Sequence, residues 1–82
     1  MILKTLIECL GPYQDFQLKD AQSGENFTSV TYLNGTSEHE EIEMHYNDTV
    51  HGISAGICKT RENGEPLDEE IPYVIIMLDQ CW

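Results

Sequence analysis

Residues 38–46 read EHEEIEMHY, and this stretch decides the predicted fold. Apolar residues alternate there with charged or ionisable ones: Ile42, Met44 and Tyr46 against Glu41, Glu43 and His45. A period of two is typical of a strand with one buried face and one face in water. We therefore predict a strand over residues 38–46, with Ile42, Met44 and Tyr46 more buried than their acidic neighbours.

The wet face of this predicted strand carries an unusual row of like charges. Glutamate is a poor strand former, and side chains two residues apart on a strand lie about 6.6 Å from each other. The carboxylates therefore repel one another, and the stretch contains no Lys or Arg to neutralise them. Such a row requires either abundant water or a positively charged partner, which makes it the first candidate for a binding surface.

Upstream, residues 2–10 have the pattern of a short helix. Apolar residues fall at helical spacing and leave Lys4, Thr5 and Glu8 on the other side. Gly11 followed by Pro12 is a strong helix stop, because glycine accepts the left-handed cap conformation and proline cannot continue the helix. A strand is the alternative for this segment, since Ile and Leu suit both structures.

The middle of the chain has the pattern of a β-hairpin. Residues 13–20 alternate weakly, and residues 26–33 are rich in the Thr, Val, Phe and Tyr that favour strands. Residues 21–24 have a composition typical of a turn. Asn34-Gly35 is a strong hairpin signal, and we expect it to join the second of these strands to the acidic strand.

Two further strands are predicted in the C-terminal half. Residues 49–60 contain Gly52 and Gly56, which indicate a bulge or a close packing contact, and we expect such a contact to be with the helix. Residues 71–78 form a nearly continuous apolar run typical of a central strand, with Pro72 at its beginning. The predicted architecture for residues 1–82 is one α+β domain, in which a short N-terminal helix packs on an antiparallel sheet of four to five strands. The second sheet face is left to solvent, to a second copy or to a target.

The charge balance narrows the classes of partner. Four Lys and Arg face fifteen Asp and Glu, for a formal net charge of -11. Nucleic acids and anionic membranes both require a basic face, so we expect neither as a direct partner. The charge fits a basic, nucleic-acid-binding protein. The alternative is a small acidic interaction domain that its charge merely keeps in solution, in the form of a monomer or a homodimer.

Acidic residues concentrate in two clusters, which we predict to be the partner-binding residues. The first cluster is Glu38, Glu40, Glu41 and Glu43, and the second is Glu65, Asp68, Glu69 and Glu70. Duplex DNA presents one negative charge per roughly 1.7 Å of its axis, and a rigid array of carboxylates can imitate a stretch of it. For the second cluster, a solvated loop is the competing explanation.

Catalytic and metal-binding patterns are weak. His39 and His45 would lie about 20 Å apart along one strand, too far to share a metal ion at ligand distances of about 2.0 to 2.1 Å. No nucleophile elbow, phosphate-binding loop or zinc-protease motif is present. We therefore expect no enzyme activity, no cofactor and no metal site.

The cysteines and the apolar runs indicate the compartment. Cys9, Cys58 and Cys81 are odd in number and form no Cys-x-x-Cys, which favours a reducing intracellular setting with Cys9 and Cys58 as small core residues. We see no export signal and no membrane span in the sequence. The expected location is the cytoplasm of a bacterial host cell.

A very short, acidic chain with a β-sheet and no catalytic motif resembles the phage-encoded inhibitors of bacterial defence and repair systems. That group includes anti-CRISPR proteins and uracil-DNA glycosylase inhibitors. The resemblance covers the whole chain in size, charge and architecture and includes no motif, so no functional residue is transferred. It implies a phage protein that acts as a DNA mimic and blocks DNA binding by an effector complex.

Overall fold

The computed structural model describes residues 1–60 and 66–79, with the backbone alone for residues 58–60 and 66–69. The elements in chain order are α1 (Leu3–Leu10), β1 (Asp15–Asp20), β2 (Thr31–Tyr32), a 3-10 turn (Leu33–Gly35), α2 (His39–Met44), β3 (Thr49–Thr60) and β4 (Pro66–Asp79). The strands form one sheet in the order β2-β1-β4-β3.

The predicted α+β class is confirmed, with a short N-terminal helix and four strands in the described part of the chain. The sheet is mixed rather than antiparallel. β1 pairs antiparallel with β2, and β3 with β4, but β1 and β4 run parallel. A parallel pair needs a long crossover, and here the chain between β1 and β4 supplies β2, α2 and β3.

α1 packs on the sheet through the predicted apolar stripe. Leu3, Leu6 and Ile7 are buried, and they join a core that includes Phe16 and Ile76. The stripe forms because these positions fall on one side of a 3.6-residue turn. Cys9 is exposed, so the prediction that it is a core residue is wrong.

Backbone hydrogen bonds fix the start of α1, and a glycine cap ends it. At the start, the N–H groups of Leu3 and Lys4 donate to the carbonyl oxygens of Asp48 and Tyr46, both at 3.0 Å. These bonds satisfy helix donors that have no partner within the helix. At the end, Gly11 has φ of 86°, which confirms the predicted positive φ at the helix stop.

Residues 38–46 do not form the predicted strand. His39–Met44 is a helix, Met44 is 73% exposed and His45 is only 8% exposed. Ile42 is buried as predicted, but Met44 and His45 have exchanged sides, because a helix repeats every 3.6 residues and a strand every two. Glutamate favours helices over strands, and Glu40 and Glu41 lie in the first turn, where the helix dipole stabilises negative charge.

The Asn34-Gly35 hairpin prediction is also wrong. Both residues belong to the 3-10 turn, and neither has a positive φ. A hairpin there would need a following strand, and α2 follows instead. The predicted turn at residues 21–24 is confirmed, and Gly24 has φ of 78°.

The strand predicted over residues 26–33 is reduced to Thr31–Tyr32. Phe27 still donates its backbone N–H to Leu18 at 2.8 Å. The hydroxyl of Thr28 then accepts the Leu18 N–H at 3.2 Å, in place of a backbone carbonyl. This side-chain substitution interrupts the ladder, and regular pairing with β1 resumes only at β2.

β4 is one of the two central strands and begins earlier than predicted, so Pro72 lies within it and pairs with Ile57 of β3. Ile76 and Leu78 are fully buried beneath the helices, while Ile75 and Met77 alternate with them and face the other side of the sheet, half-buried.

The bulge predicted from the glycines of β3 is confirmed by a register shift between Val50 and Gly52. Their close contacts are with β4 rather than with the helix. A Cβ on Gly56 would lie 2.8 Å from the ring of Tyr73, which covers that glycine.

Candidate protein-binding surface

α2 presents to solvent two of the four carboxylates of the first acidic cluster. The exposed residues of the helix are His39, Glu40, Glu43 and Met44, and we call this set the α2 surface. At about 100° per residue the four side chains span about 140° of the helix circumference. Ile42 lies away from this arc and is fully buried, so the core contact of Ile42 determines which residues face outward.

The other two carboxylates of the first cluster are used inside the molecule. Both oxygens of the Glu38 carboxylate accept the backbone N–H of Ser29, at 3.2 and 3.3 Å. Glu41 is half-buried, with its Oε1 3.4 Å from Nε2 of His45. The structure therefore separates the predicted cluster into an outward pair, Glu40 and Glu43, and an inward pair, Glu38 and Glu41.

The second acidic cluster falls largely outside the described residues. Glu65 lies outside them, and so do the side chains of Asp68 and Glu69. Glu70 is described, is exposed and belongs to β4. Nothing in the described part of the chain relates this cluster to the α2 surface.

His45 is a buried junction that the sequence did not reveal. Its Nδ1 is 2.6 Å from Oδ2 of Asp48, and its Nε2 faces Glu41. Its ring stacks on Phe27, with 4.1 Å between ring centroids and 21° between planes. A protonated imidazole can donate to both carboxylates at once, and either carboxylate can accept from a neutral ring.

The surroundings of His45 favour a structural role. A general base needs a ring nitrogen open to a substrate, but here both nitrogens face carboxylates that belong to the protein. Asp48 also accepts the first N–H of α1 through its backbone carbonyl. The junction therefore ties the end of α2 to the turn before β3 and to the start of α1.

The remaining histidines do not combine with His45. His39 is exposed on α2, and His51 of β3 pairs with Asp79, with 2.9 Å between Nδ1 and Oδ2. Within residues 1–60 and 66–79, no three His, Cys, Asp or Glu side chains are arranged to hold a metal ion. The same residues enclose no pocket.

Sequence reasoning missed three features of this region: the exposure of Met44, the burial of His45 and the inward use of Glu38. One available signal was Ser37 followed by Glu40, which matches the capping-box spacing before a helix. Another was the spacing of Glu41, His45 and Asp48, at four and three residues, which brings side chains together on a helix and its last turn.

Comparisons with protein-family models, with curated proteins and with solved structures found no match for this chain. Among the residues that the structure describes, no helix has both the length and the apolar character needed to cross a membrane.

Proposed function

We propose that this protein is a non-enzymatic inhibitory binding protein that uses the α2 surface to occupy the basic, nucleic-acid-binding site of another protein. The observation that carries the proposal is the exposure of Glu40 and Glu43, one helical turn apart, beside the 73% exposed Met44. The finer proposal, a phage anti-defence protein acting in the cytoplasm of a bacterial host, rests on the resemblance in size, charge and architecture.

Charge and apolar contact have separate tasks in this proposal. The net charge of -11 steers the protein toward a basic groove and speeds association. Steering alone gives little affinity, because exposed ion pairs contribute only about 0 to 1 kcal/mol. Met44 adds an apolar anchor beside the carboxylates, and methionine is enriched in protein interfaces. Once Met44 covers part of the contact, the neighbouring ion pairs lose water and strengthen.

The test has a capture step and a quantitative step. The full chain is immobilised, exposed to bacterial lysate and eluted with duplex DNA, so that proteins whose DNA site is occupied are released. Each purified candidate is then titrated with the parent protein and with the variant Glu40→Gln/Glu43→Gln. Close interfacial charge pairs couple by about 1.5 kcal/mol or more, so the loss of two should weaken binding about 100-fold.

A matched control separates local contact from net charge. Glu8 and Glu25 are exposed on α1 and after β1, and Glu8→Gln/Glu25→Gln removes the same two charges elsewhere. We expect the control to bind nearly as tightly as the parent. Equal binding by the two double variants would show that the α2 surface is only solvated.

Two further outcomes decide the wider proposal. If the substitutions in α2 leave binding unchanged, the variant Glu65→Gln/Asp68→Asn/Glu69→Gln/Glu70→Gln tests the second cluster in the same assay. If that variant also binds unchanged, or if duplex DNA releases no protein, the mimicry proposal fails. The alternative, an acidic interaction domain without nucleic-acid mimicry, would then account for the charge.

A further inference from the structure

β3 is an edge strand among the described strands, and no described strand pairs with part of its outer edge, which we call the open edge. It is the last strand of the sheet order in the described part of the chain. The N-terminus covers only its beginning: Ile2 bridges to Thr49, and the Val50 N–H donates to the Met1 carbonyl at 2.9 Å. Beyond this point, residues 51–57 have β4 on one side, and no described strand pairs with the other side.

Hydrogen bonds elsewhere in the sheet show which backbone groups face this open edge. The carbonyl of Leu78 accepts the N–H of Ala21, which follows β1, so Leu78 directs its backbone groups away from β3. The backbone N–H and C=O of its partner Val50 must then point outward, away from β4, and the hydrogen bond from the Val50 N–H to Met1 confirms this direction. Backbone groups of residues two apart on a strand point the same way, so those of Ile76, Val74 and Pro72 also point away from β3.

The partners of those three residues in β3 are Ile53, Ala55 and Ile57. Pairs that do not bond to each other across an antiparallel ladder direct their N–H and C=O groups to the outside. Pro72 is consistent with this arrangement: it has no backbone N–H, and a residue whose backbone groups point away from β3 does not need one to bond to β3. Ile53, Ala55 and Ile57 therefore present a regular row of donors and acceptors at the open edge.

This row is complementary to itself. A two-fold axis through Ala55 places Ile53 of one copy opposite Ile57 of the other, in antiparallel register. All three resulting pairs are of the hydrogen-bonded type, for about six backbone bonds, two from each pair. The side chains of Ile53 and Ile57, 52% and 68% exposed, lie on one face and would pack across the new junction.

Charge favours a second copy over a basic partner at this edge. The chain carries fifteen Asp and Glu, but none lies in β3. A basic partner finds no carboxylate there to attract it, whereas two acidic copies meet at the edge with the least repulsion. Residues 51–57 contain no Asp, Glu, Lys or Arg, and Lys59 of β3 lies beyond them. Uncharged apolar edge segments are templates for pairing, and natural proteins leave few of them uncovered.

We propose that two copies of this chain pair antiparallel through β3 about Ala55, which joins their sheets into one continuous sheet. The contact is isologous and closes on itself, so the assembly stops at a dimer. It is separate from the α2 surface, and its salt dependence has the opposite sign. Added salt screens the repulsion between two chains of charge -11 and should strengthen the dimer, while it weakens a complex with a basic protein.

Sedimentation equilibrium of the full chain tests the proposal. We expect association from the monomer mass of 9.4 kDa to twice that mass, and stronger association at higher salt. Ile57→Lys places a charge in the row at an exposed position, so the fold should remain while the dimer dissociates. Met44→Lys makes the same charge change at another exposed position and should leave the dimer intact.

Amide hydrogen exchange tests the register. In the monomer, the N–H groups of Ser54 and Gly56, bonded to β4, should be protected, while those of Ile53, Ala55 and Ile57 exchange quickly. In the dimer all five should be protected, and Ile57→Lys should restore the alternation. The proposal is overturned if the parent stays monomeric at roughly 1 mM, a concentration at which even weak association is visible. It is equally overturned if Ile57→Lys still dimerises, or if the three outward amides exchange quickly in a dimer.

Discussion

Replacing Ile42 and Met44 separately by alanine tests the helix on which the α2 surface depends. Ile42 is fully buried and Met44 is 73% exposed. Truncation of a buried isoleucine costs about 2 to 5 kcal/mol, whereas a surface substitution usually changes stability by less than about 0.5 kcal/mol. The two variants should therefore differ by at least about 1.5 kcal/mol. A strand over these residues would bury both side chains and make the two losses similar.

The assay is urea unfolding followed by circular dichroism. With an m-value of about 1 kcal/mol/M for a chain of this size, Ile42→Ala should lower the midpoint by about 2 M or more. Met44→Ala should shift it by about 0.5 M at most. Met44→Asp extends the test, because a charge costs several kcal/mol only at a buried position. Large and equal losses for Ile42→Ala and Met44→Ala, or unfolding by Met44→Asp, would refute the helix and with it the α2 surface.

The remaining predictions concern a cap, the buried junction and a turn. Gly11→Ala should lower the unfolding free energy by about 1 kcal/mol, because alanine is strained at φ of 86°. The cost is one of backbone strain alone, since the added Cβ would meet no atom within 4 Å. An unchanged unfolding free energy would argue against the glycine cap. His45→Gln should cost about 1 to 3 kcal/mol by removing a buried hydrogen-bond partner, while His39→Gln, at an exposed site, should be nearly neutral; equal effects would contradict the junction. Hydrogen bonds from the backbone of Gln22 and from the Ser23 hydroxyl lower the pKa of Asp20, so its contribution to stability is present above the ordinary aspartate pKa and is lost as pH falls through the lowered value. Ser23→Ala should raise that pKa in an NMR titration, and an unchanged pKa would remove the hydroxyl as a cause.

Local sequence determined the elements whose pattern and propensity agree. α1 formed where the 3.6-residue stripe ends at Gly11-Pro12, and β1 formed where Phe16 and Leu18 alternate with polar residues. The long strands β3 and β4 followed from β-branched runs, and the bulge followed from a glycine in β3. In β1, β3 and β4 the neighbouring residues alone favoured a strand. In residues 2–10, where Ile and Leu suit both a helix and a strand, the helical spacing and the Gly11-Pro12 stop favoured the helix that formed.

Tertiary structure decided the elements whose local signals conflict. In residues 38–46 the alternation favoured a strand and the glutamates favoured a helix. The packing of Ile42 in the core and of His45 between Asp48 and Glu41 stabilises the helix, and these contacts involve the fold around α2. The parallel pairing of β1 with β4 is likewise invisible in either strand alone, because it joins residues distant in sequence.

The candidate surfaces follow the same division. Composition alone established a chain of net charge -11 with acidic residues in clusters. Only the fold decided that Glu38 bonds inward to Ser29 while Glu40 and Glu43 face solvent. The direction of the backbone groups of Ile53 and Ile57 also depends on the fold. It is fixed by the phase of their pairing with β4, since a one-residue shift in register would turn every outward group inward.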